Sequence, residues 1–425
     1  MTMYPVIDHR LSNGLRVVAS PDKNAPSVAV TLTYGVGSRN DPLGRSGIAH
    51  LFEHLMFEGS GNVDAGEHMR LVQAAGGVCN AVTSSDGTVY LQQVPPGAVE
   101  LVLWLEADRL ATLPDALTQP GLDTQLQVAL QERHQRLGQP GGSIHEHAFA
   151  ALFGDHPYGH LPLGWPADLD KVTVGDLRGF FVRWYRPDNA VLAVVGDIDP
   201  EQLVDTAERY LAPVPARIGP TSGTGLPVIG EPPAAPRRVD VPEPNLPFAL
   251  VTLAFRGPAN SVTDPEIFAF HLAVQILADG EHSRAWRRLV HTEGLAQSIS
   301  GTTLPMDWAS AGTVTAVAMP GASADAIETA LIQELETLAA KGPSEAELRQ
   351  ARAAATRDIL AGDATLLGRA TELGHFAASF DDPGAINTQI DRLGLADADA
   401  VQRTAAGWLH PDRRATITSR PTSPR

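Results

Sequence analysis

The residues of this chain best suited to chemistry are two histidines and a glutamate within five positions, His50, Leu51, Phe52, Glu53 and His54. On an α-helix, residues three and four apart share a face, so His50 and His54 can aim ring nitrogens at one ion with Glu53 beside them. Two imidazoles and a carboxylate at this spacing are typical of zinc hydrolases. The motif therefore predicts a metal-dependent peptidase with Glu53 as the general base.

A catalytic zinc takes three protein ligands and keeps a fourth position for water, so the chain must supply a third donor from elsewhere. The alternative is a pair of partly exposed histidines that binds nothing. With 14 histidines in 425 residues, a chain can match this five-residue pattern by chance. The context favours the metal, because residues 46–57 predict a helix that follows a glycine-rich loop.

Other elements of the first half position this helix. Leu15–Ser20, Ser27–Tyr34 and Val89–Val94 have the apolar or alternating patterns of strands. Gly66–Ala75 has helical spacing and is closed by Gly76 and Gly77. A mixture of strands and helices in this order predicts an α+β fold.

The second half repeats the first. Trp184, Tyr185, Arg186, Pro187 and Asp188 recur as Trp408, Leu409, His410, Pro411 and Asp412, at an offset of 408 minus 184, or 224 residues. Strands near 248–255 and 313–318, and helices near 324–340 and 344–360, give the second half the same mixture. We predict an N-terminal domain over 1–212, a Pro-rich linker over 213–247 and a homologous C-terminal domain over 248–425.

Composition excludes several classes of protein. A net charge of -17 argues against nucleic acid as a partner, because phosphates need a basic surface. Charged residues interrupt every apolar run well before the roughly 18 residues of a membrane span. With Cys79 as its one cysteine, the chain has no internal disulfide. We predict no membrane segment and a cytoplasmic location.

Together these features resemble the pitrilysin and mitochondrial processing peptidase family, the inverzincins, whose motif is His-x-x-Glu-His with a distal Glu. The matching stretches are 47–59, 76–90, 122–135 and the repeat around Trp184. Glu132 follows His54 by 132 minus 54, or 78 residues, which is the family's spacing. The resemblance implies that Glu132 is the third ligand of one Zn²⁺ per chain. It also implies two tandem homologous domains, each a mostly antiparallel sheet covered by helices, that form half of a clamshell chamber.

The resemblance also assigns substrate contacts. Asn80, Ala81, Val82 and Thr83 match the family's edge strand, which pairs with an extended peptide substrate through backbone hydrogen bonds. Gln125 lies seven residues before Glu132, where many relatives have a carboxylate, and could hold a ligating imidazole from the second shell. An ordinary exposed glutamine is the alternative for this position.

Other residues give weaker signals for a chemical role. His145 and His147 have a chelating spacing, and His156 and His160 flank a turn, so a second metal site is conceivable. The family has a similar stretch that does not bind zinc, which favours packing for these histidines. Cys79 is expected to be a small packed side chain without a chemical role.

One departure from the family bears on partners. Relatives stabilise the oxyanion with an Arg and a Tyr from a later domain, but Gln297 occupies the Tyr position here. The second half also lacks a metal motif, since His271 has no paired Glu and His. We predict a heterodimer whose homologous partner chain supplies the Arg and Tyr. The alternatives are a homodimer that uses Gln297 with Arg284, Arg287 or Arg288, and a non-catalytic scaffold subunit.

Overall fold

A computed structural model describes residues 3–217, 219, 228–233, 235–244 and 246–422. The chain divides into two compact units, each built from three separate segments. Unit 1 contains Met1–Glu132, Leu161–Leu226 and Leu360–Thr388, and unit 2 contains Arg133–His160, Pro227–Ile359 and Gln389–Arg425.

The sheet of unit 1 has six strands among the described residues, in the order β1-β2-β6-β3-β5-β4. The β2 and β6 strands are parallel, and all other neighbours are antiparallel. Its strands are β1 (Ile7–Arg10), β2 (Arg16–Pro21), β3 (Val28–Tyr34), β4 (Val78–Thr83), β5 (Thr88–Val94) and β6 (Ala190–Gly196).

The sheet of unit 2 has the order β7-β11-β8-β10-β9. Its one parallel pair is β7 with β11, and its other neighbours are antiparallel. Its strands are β7 (Arg237–Glu243), β8 (Leu250–Gly257), β9 (Ala296–Pro305), β10 (Ser310–Ala318) and β11 (Ala415–Pro421). This is the order of unit 1 without β1, so the predicted duplication and the α+β class are confirmed.

Helices occur at corresponding places in the two halves of the chain. Between β3 and β4 stand α1 (Ile48–Leu55) and α2 (Glu67–Ala74), and between β8 and β9 stand α9 (Glu266–Ala278) and α10 (Arg284–Trp286). The others are α3 (Val99–Ala116), α4 (Gln119–Leu137), α5 (Ile144–Phe153), α6 (Pro166–Leu169), α7 (Val174–Trp184), α8 (Pro200–Tyr210), α11 (Ala324–Lys341), α12 (Glu345–Asp363), α13 (Leu366–Phe380), α14 (Gln389–Leu395) and α15 (Ala398–Gly407).

Both faces of the unit 1 sheet are covered. Every residue of β3 and β6 is buried, as their continuous apolar sequences favour. One face packs against α1 and α3, and α13 covers the other face along β3 and β6. The Thr31 hydroxyl donates to the Ala370 carbonyl, and a Cβ at Gly374 would come within 2.6 Å of the Thr33 hydroxyl. Small residues on α13 therefore allow the close packing.

Equivalent helices are exchanged between the two halves of the chain. The α5 helix belongs to the first half but packs on β8 and β11 in unit 2, whereas α13 belongs to the second half and packs in unit 1. The two units therefore do not coincide with the contiguous ranges 1–212 and 248–425. An amphipathic pattern shows that a helix has an apolar face, but it does not show which sheet that face covers.

Part of the predicted linker 213–247 is a strand. Residues 237–243 form β7, which pairs in parallel with β11 at the edge of the unit 2 sheet. An edge strand tolerates Pro242 because proline lacks the N–H that an inner strand would donate. The remainder of the segment includes residues outside the described ranges.

No helix among the described residues is both long enough and apolar enough to cross a lipid bilayer.

Candidate metal centre

The α1 helix carries the two histidines and Glu53. It begins after Gly47, whose φ of 98° is in the left-handed region that glycine adopts readily. Its apolar residues Ile48, Leu51, Phe52 and Leu55 are buried in the core of unit 1. This packing leaves the other face of the helix for polar side chains.

Asp41 holds the start of α1. Its carboxylate accepts the backbone N–H groups of Gly47, at 2.6 Å, and Ala49, at 2.9 Å. Burial, together with the nearby charge of Asp168, raises the pKa of Asp41 to about 8, although the two N–H donors act in the opposite direction. The local pattern gives no signal for this residue, because it lies six positions before Gly47, the residue that precedes the helix.

The structure brings His50, His54 and Glu132 together. Glu132 lies on α4, and its Oε2 is 3.3 Å from Nε2 of His50 and 3.4 Å from Nε2 of His54. One ligand atom from each residue lies within 4.8 Å of the others. All three residues belong to unit 1. The α4 helix begins after Thr118, whose hydroxyl accepts the N–H of Gly121.

This group fits a zinc ion. Two ligand atoms about 2.05 Å from one ion at tetrahedral angles are roughly 3.3 Å apart, close to the distances seen here. The Nε2 atom of His54 is buried and makes no hydrogen bond with the described residues, because the approach of Glu132 Oε2 at 3.4 Å lacks hydrogen-bond geometry. Such an orphaned nitrogen is costly unless it binds something, and a metal would satisfy it. Two imidazoles with one carboxylate are a donor set that zinc accepts.

Glu53 is half-buried on the polar side of α1. Its charge is felt by Tyr90 and Tyr185, whose pKa values are raised chiefly by burial and further by Glu53. Glu53 is therefore close enough to the buried Tyr90 and Tyr185 for its charge to act on them.

Buried groups behind α1 support the helix. The Tyr90 hydroxyl donates to the Phe52 carbonyl at 3.3 Å, and the Arg109 guanidinium lies 4.2 Å from the centre of the Tyr90 ring. Arg109 in turn pairs with the buried carboxylate of Glu106 at 2.5 Å. Sequence reasoning missed these residues, because each lies on a different element from the motif.

The predicted substrate-binding residues Asn80, Ala81, Val82 and Thr83 lie in β4, which is the edge strand of the unit 1 sheet. Val82 is 54% exposed, whereas Ala81 is buried and points towards the core. One side of this strand carries no strand partner among the described residues. Cys79 in the same strand is half-buried, and burial raises the pKa of its thiol.

Gln125 has a different partner from the predicted one. Its side-chain amide donates to Glu58 at 2.5 Å, and the structure shows no bond from this amide to an imidazole of the described chain. Gln125 therefore contacts Glu58, which lies four residues after His54, and its predicted second-shell contact with a ligating imidazole stays a prediction.

In the part of the chain that the structure describes, the other histidines form no second group of three donors that could hold a metal. Among the described residues, His50, His54 and Glu132 are the only three donors close enough to share an ion. His156 Nδ1 accepts the backbone N–H of Tyr158, and burial lowers the pKa of His145. His147, on α5, belongs to no such group among the described residues.

In unit 2, the side chains that could replace the Arg and Tyr of the relatives contact other residues of the same unit. The Gln297 amide donates to the Ala318 carbonyl at 2.7 Å. Arg284 and Arg287 both pair with Glu347, at 2.8 Å and 3.2 Å. Arg288 pairs with Glu293 at 2.7 Å and with a second carboxylate on α11. These guanidinium groups are therefore held by carboxylates of their own unit.

Two family models match this chain. One, described as Insulinase (Peptidase family M16), matches residues 16–161, and the other, described as Peptidase M16 inactive domain, matches residues 171–355. Together they match most of the chain.

Individual proteins agree with the family models. The chain is 28% identical over 417 residues to a protein named Zinc protease PqqE from Helicobacter pylori. The aligned region covers 97% of this chain and 92% of that protein. It is 29% identical over 220 residues to the mitochondrial-processing peptidase subunit beta of Saccharomyces cerevisiae, over 50% of this chain and 45% of that one. The crystal structure of a protease from Helicobacter pylori has the same fold, with a TM-score of 0.89 at 24% identity over 99% of this chain and 100% of that chain.

Proposed function

Because this chain belongs to peptidase family M16, the family of pitrilysin and the mitochondrial processing peptidase that its motif predicted, we propose that it is a zinc-dependent endopeptidase. The observation that carries this proposal is the convergence of His50, His54 and Glu132 from two helices on one point. The proposed substrates are unfolded peptides or a leader sequence to be trimmed from a precursor.

The chain's own residues divide the reaction among them. His50, His54 and Glu132 would hold one Zn²⁺, which when bound makes water more acidic and polarises a carbonyl. Glu53 takes the proton of the attacking water and returns it to the nitrogen of the leaving amine. Glu53 directly precedes His54 on α1, so its carboxylate is proposed for this role on the spacing of the motif.

The substrate would add a strand to the sheet of unit 1. The outer side of β4 offers backbone groups to an extended peptide, with Asn80, Ala81, Val82 and Thr83 as the pairing residues. An unfolded chain can become extended along this edge without losing other contacts, so this mode of binding favours unfolded chains over folded ones.

A homologous partner chain would complete the active site as the second subunit of a heterodimer. Two features of unit 2 support this proposal, Gln297 at the Tyr position and the carboxylate pairs of Arg284, Arg287 and Arg288. The same pairs make a homodimer the weaker alternative, because Arg284, Arg287 and Arg288 already bind carboxylates of their own unit and would have to exchange them for a substrate carbonyl. Each chain of such a pair would form half of the clamshell chamber.

The decisive experiment compares the wild-type chain with Glu53→Gln, each with and without a co-expressed homologous chain that lacks the zinc motif. We expect about one zinc per chain in both proteins, and cleavage of casein-derived peptides only by the wild-type pair. Full activity of the chain alone, with a mass that matches a homodimer, would overturn the heterodimer. Absence of zinc from carefully loaded protein would overturn the peptidase itself.

The second candidate is a non-catalytic scaffold subunit of the same fold. The family name of the model over residues 171–355, an inactive domain, is the observation that favours it. A scaffold would give equal, negligible peptide cleavage for the wild type and Glu53→Gln in every assembly.

Cell fractionation would test the proposed cytoplasmic location.

A further inference from the structure

One hydrogen bond connects the two helices that carry the proposed zinc ligands. The side-chain amide of Gln125, on α4, donates to a carboxylate oxygen of Glu58 at 2.5 Å. His50 and His54 lie on α1, shortly before Glu58, and Glu132 lies further along α4. The bond therefore links the two sources of ligands without using a ligand itself.

Glu58 is attached firmly to the end of α1. The N–H of Phe57 donates to the carbonyl of His54 at 3.0 Å, and the N–H of Glu58 donates to the carbonyl of Leu55 at 3.1 Å. These bonds continue the last turn of the helix as far as Glu58. Because backbone hydrogen bonds connect them, a displacement of Glu58 also displaces the turn that holds His54.

Gln125 is a polar residue at a position where α4 packs into the core. It is 8% exposed and lies between Leu122 and Ala129, which are buried in the core of unit 1 three residues before it and four residues after it. An apolar side chain would pack at this position without cost, whereas a buried amide costs free energy unless it forms hydrogen bonds. The bond to Glu58 supplies such a partner.

Packing leaves the space beside this bond partly empty. A cavity of about 300 Å³ is lined by Leu55 and Glu58 on one side and by Gly121 and Thr124 of α4 on another. Side chains therefore do not fill the gap between the end of α1 and the first two turns of α4, and close packing does not fix their separation there. Gln125 directly follows Thr124, so its hydrogen bond to Glu58 links the two helices beside the gap.

The charge of Glu58 explains why an amide suits position 125. Among the described residues, the Gln125 amide is the one side-chain partner of this half-buried carboxylate. A second carboxylate at this position would place two negative charges within hydrogen-bond distance, and one of them would have to take up a proton or move away. Glutamine donates a hydrogen bond to Glu58 and adds no charge.

The position of Gln125 along α4 affects the metal group through the length of the helix. Gln125 and Glu132 are separated by 132 minus 125, or seven residues, which is about 10 Å along the helix axis. A tilt of about 3° over this length moves its far end by about 0.5 Å, which exceeds the roughly 0.2 Å within which metal–ligand distances are held. A metal bound by ligands from both helices therefore requires that the helices keep a fixed separation.

We propose that the hydrogen bond between Gln125 and Glu58 is a brace that holds α1 and α4 at the separation the metal requires. Gln125 is then a positioning residue that acts through Glu58. The inference rests on the proposed zinc centre and deepens it, because it adds a pair of residues that determines metal affinity. Direct contact between Gln125 and a ligating imidazole, the alternative, gives Glu58 no role.

The first experiment exchanges the two side chains. Zinc dissociation constants of the wild type, Gln125→Glu, Glu58→Gln and the double variant are measured by competition with a chromophoric chelator. We expect Gln125→Glu to bind zinc about 10- to 100-fold more weakly, because two carboxylates then face each other. Glu58→Gln should weaken binding less, because an amide oxygen still accepts a hydrogen bond. The double variant restores one amide and one carboxylate, so its affinity should return close to that of the wild type.

A matched control makes the same charge change elsewhere on α4. Gln127 is exposed, and Gln127→Glu should retain the wild-type affinity for zinc. Equal weakening in Gln127→Glu would show that added charge alone causes the loss, and would overturn the brace. Zinc binding by Gln125→Glu that equals or exceeds that of the wild type, or no recovery in the double variant, would also overturn it.

A second experiment separates positioning from folding. Gln125→Leu removes the bond and keeps a side chain of similar size in the buried stripe of α4. We expect the metal-free variant to unfold at about the same urea concentration as the wild type, while its zinc dissociation constant rises and the visible spectrum of its Co²⁺-loaded form changes. A contact that only supports the fold would instead lower the unfolding midpoint and leave the Co²⁺ spectrum unchanged.

These measurements need metal binding but no peptide cleavage, so they distinguish the brace from the peptidase. The expected changes in zinc affinity in a protein that cleaves no peptide would support the brace and overturn the proposed activity. Normal cleavage, with zinc affinities that do not respond to the exchange, would overturn the brace and leave the peptidase intact.

Discussion

The helices that follow the corresponding strands β3 and β8 have different compositions in the two units. In unit 1, α1 has eight residues and carries His50, Glu53 and His54 on one face. In unit 2, α9 has 13 residues, ten of which are buried, and its one histidine is His271. The strand order is the same on both sides, so the topology accommodates either helix.

What differs is the support that each helix needs. An apolar helix such as α9 is held by packing of its buried side chains against the sheet. The α1 helix gives one face to polar groups, and its two ends are held by part-buried hydrogen bonds to Asp41 and a buried hydrogen bond from Tyr90. The metal group is therefore a property of a few side chains and their buried partners, and the shared fold alone does not produce it.

The largest expected effect comes from removing a proposed ligand in unit 1. In His54→Ala we expect zinc to fall from about one ion per chain to a small fraction, and kcat/KM to fall by roughly 10³-fold or more, because two donors hold the ion poorly. Elemental analysis and peptide cleavage measure these changes. His271→Ala on α9 is the matched change in unit 2 and should keep its zinc. Equal zinc loss in both variants would erase the contrast between the units.

The caps at the starts of the two helices provide the next comparison. Asp41 is half-buried and caps two buried N–H groups, whereas Asp264 accepts the N–H of Glu266 before α9 at an exposed position. We expect Asp41→Ala to lower the free energy of unfolding by about 2 to 4 kcal/mol, because two buried N–H groups lose their acceptor. Asp264→Ala should cost about 0.5 to 1 kcal/mol, as an exposed cap does. Urea unfolding measures both, and equal costs would show that burial of the Asp41 cap is unimportant.

The two units should also respond oppositely to pH. The pKa of Asp41 is raised from 3.8 to about 8, so its contribution is present below about pH 4 and is lost as pH rises towards 8. The pKa of Glu347 is lowered from 4.5 to about 2, chiefly by Arg284, so its contribution is present above pH 4.5 and is lost as pH falls towards 2. The Glu347 contribution amounts to about 2 to 3 kcal/mol.

Unfolding free energies of Asp41→Asn and Glu347→Gln across pH 2 to 8 measure these contributions. We expect the first variant to lose the decline between pH 5 and 8, and the second to lose part of the decline on the acid side. Parallel curves for both variants and the wild type would contradict the assigned directions.

The smallest expected effect concerns the end of α1. Tyr90→Phe removes the bond to the Phe52 carbonyl and should lower the free energy of unfolding by about 1 kcal/mol, with a modest decrease in kcat. Tyr210, whose hydroxyl bonds Glu100 at the surface, provides the control. Tyr210→Phe should leave both quantities within error, and an equally large change there would mean that the buried bond has no special role.

Local patterns in the sequence predicted much of the fold. The helix predicted over 46–57 is observed as Ile48–Leu55, and the strand predicted over Ser27–Tyr34 is observed as Val28–Tyr34. The repeat around Trp184 and Trp408 predicted the duplication that the two strand orders confirm. These features are encoded by neighbouring residues, so a single sequence is enough to find them.

Features that depend on distant contacts were not predictable in the same way. The edge strand β7 lies in a segment whose Pro- and Gly-rich composition, with Pro232, Pro233 and Pro236 close together, predicts a linker. The bond between Gln125 and Glu58 joins residues 67 positions apart, and the local sequence of neither residue indicates it. Glu132 was found through a family resemblance, because an isolated carboxylate on a helix is usually a solvated surface group.

The exchange of α5 and α13 bears on how a chain of this kind can arise and be divided. A cut between 213 and 247 would leave each fragment without the helix that covers its own sheet. Each fragment should therefore aggregate when it is made alone, and the native fold should return only when the two are refolded together. Two copies of a one-sheet ancestor that exchanged a helix, as in a domain-swapped dimer, would have the same arrangement. Fusion of the tail of one such protomer to the head of the other would join the swapped pair covalently, after which one copy was free to lose or never acquire metal-binding residues.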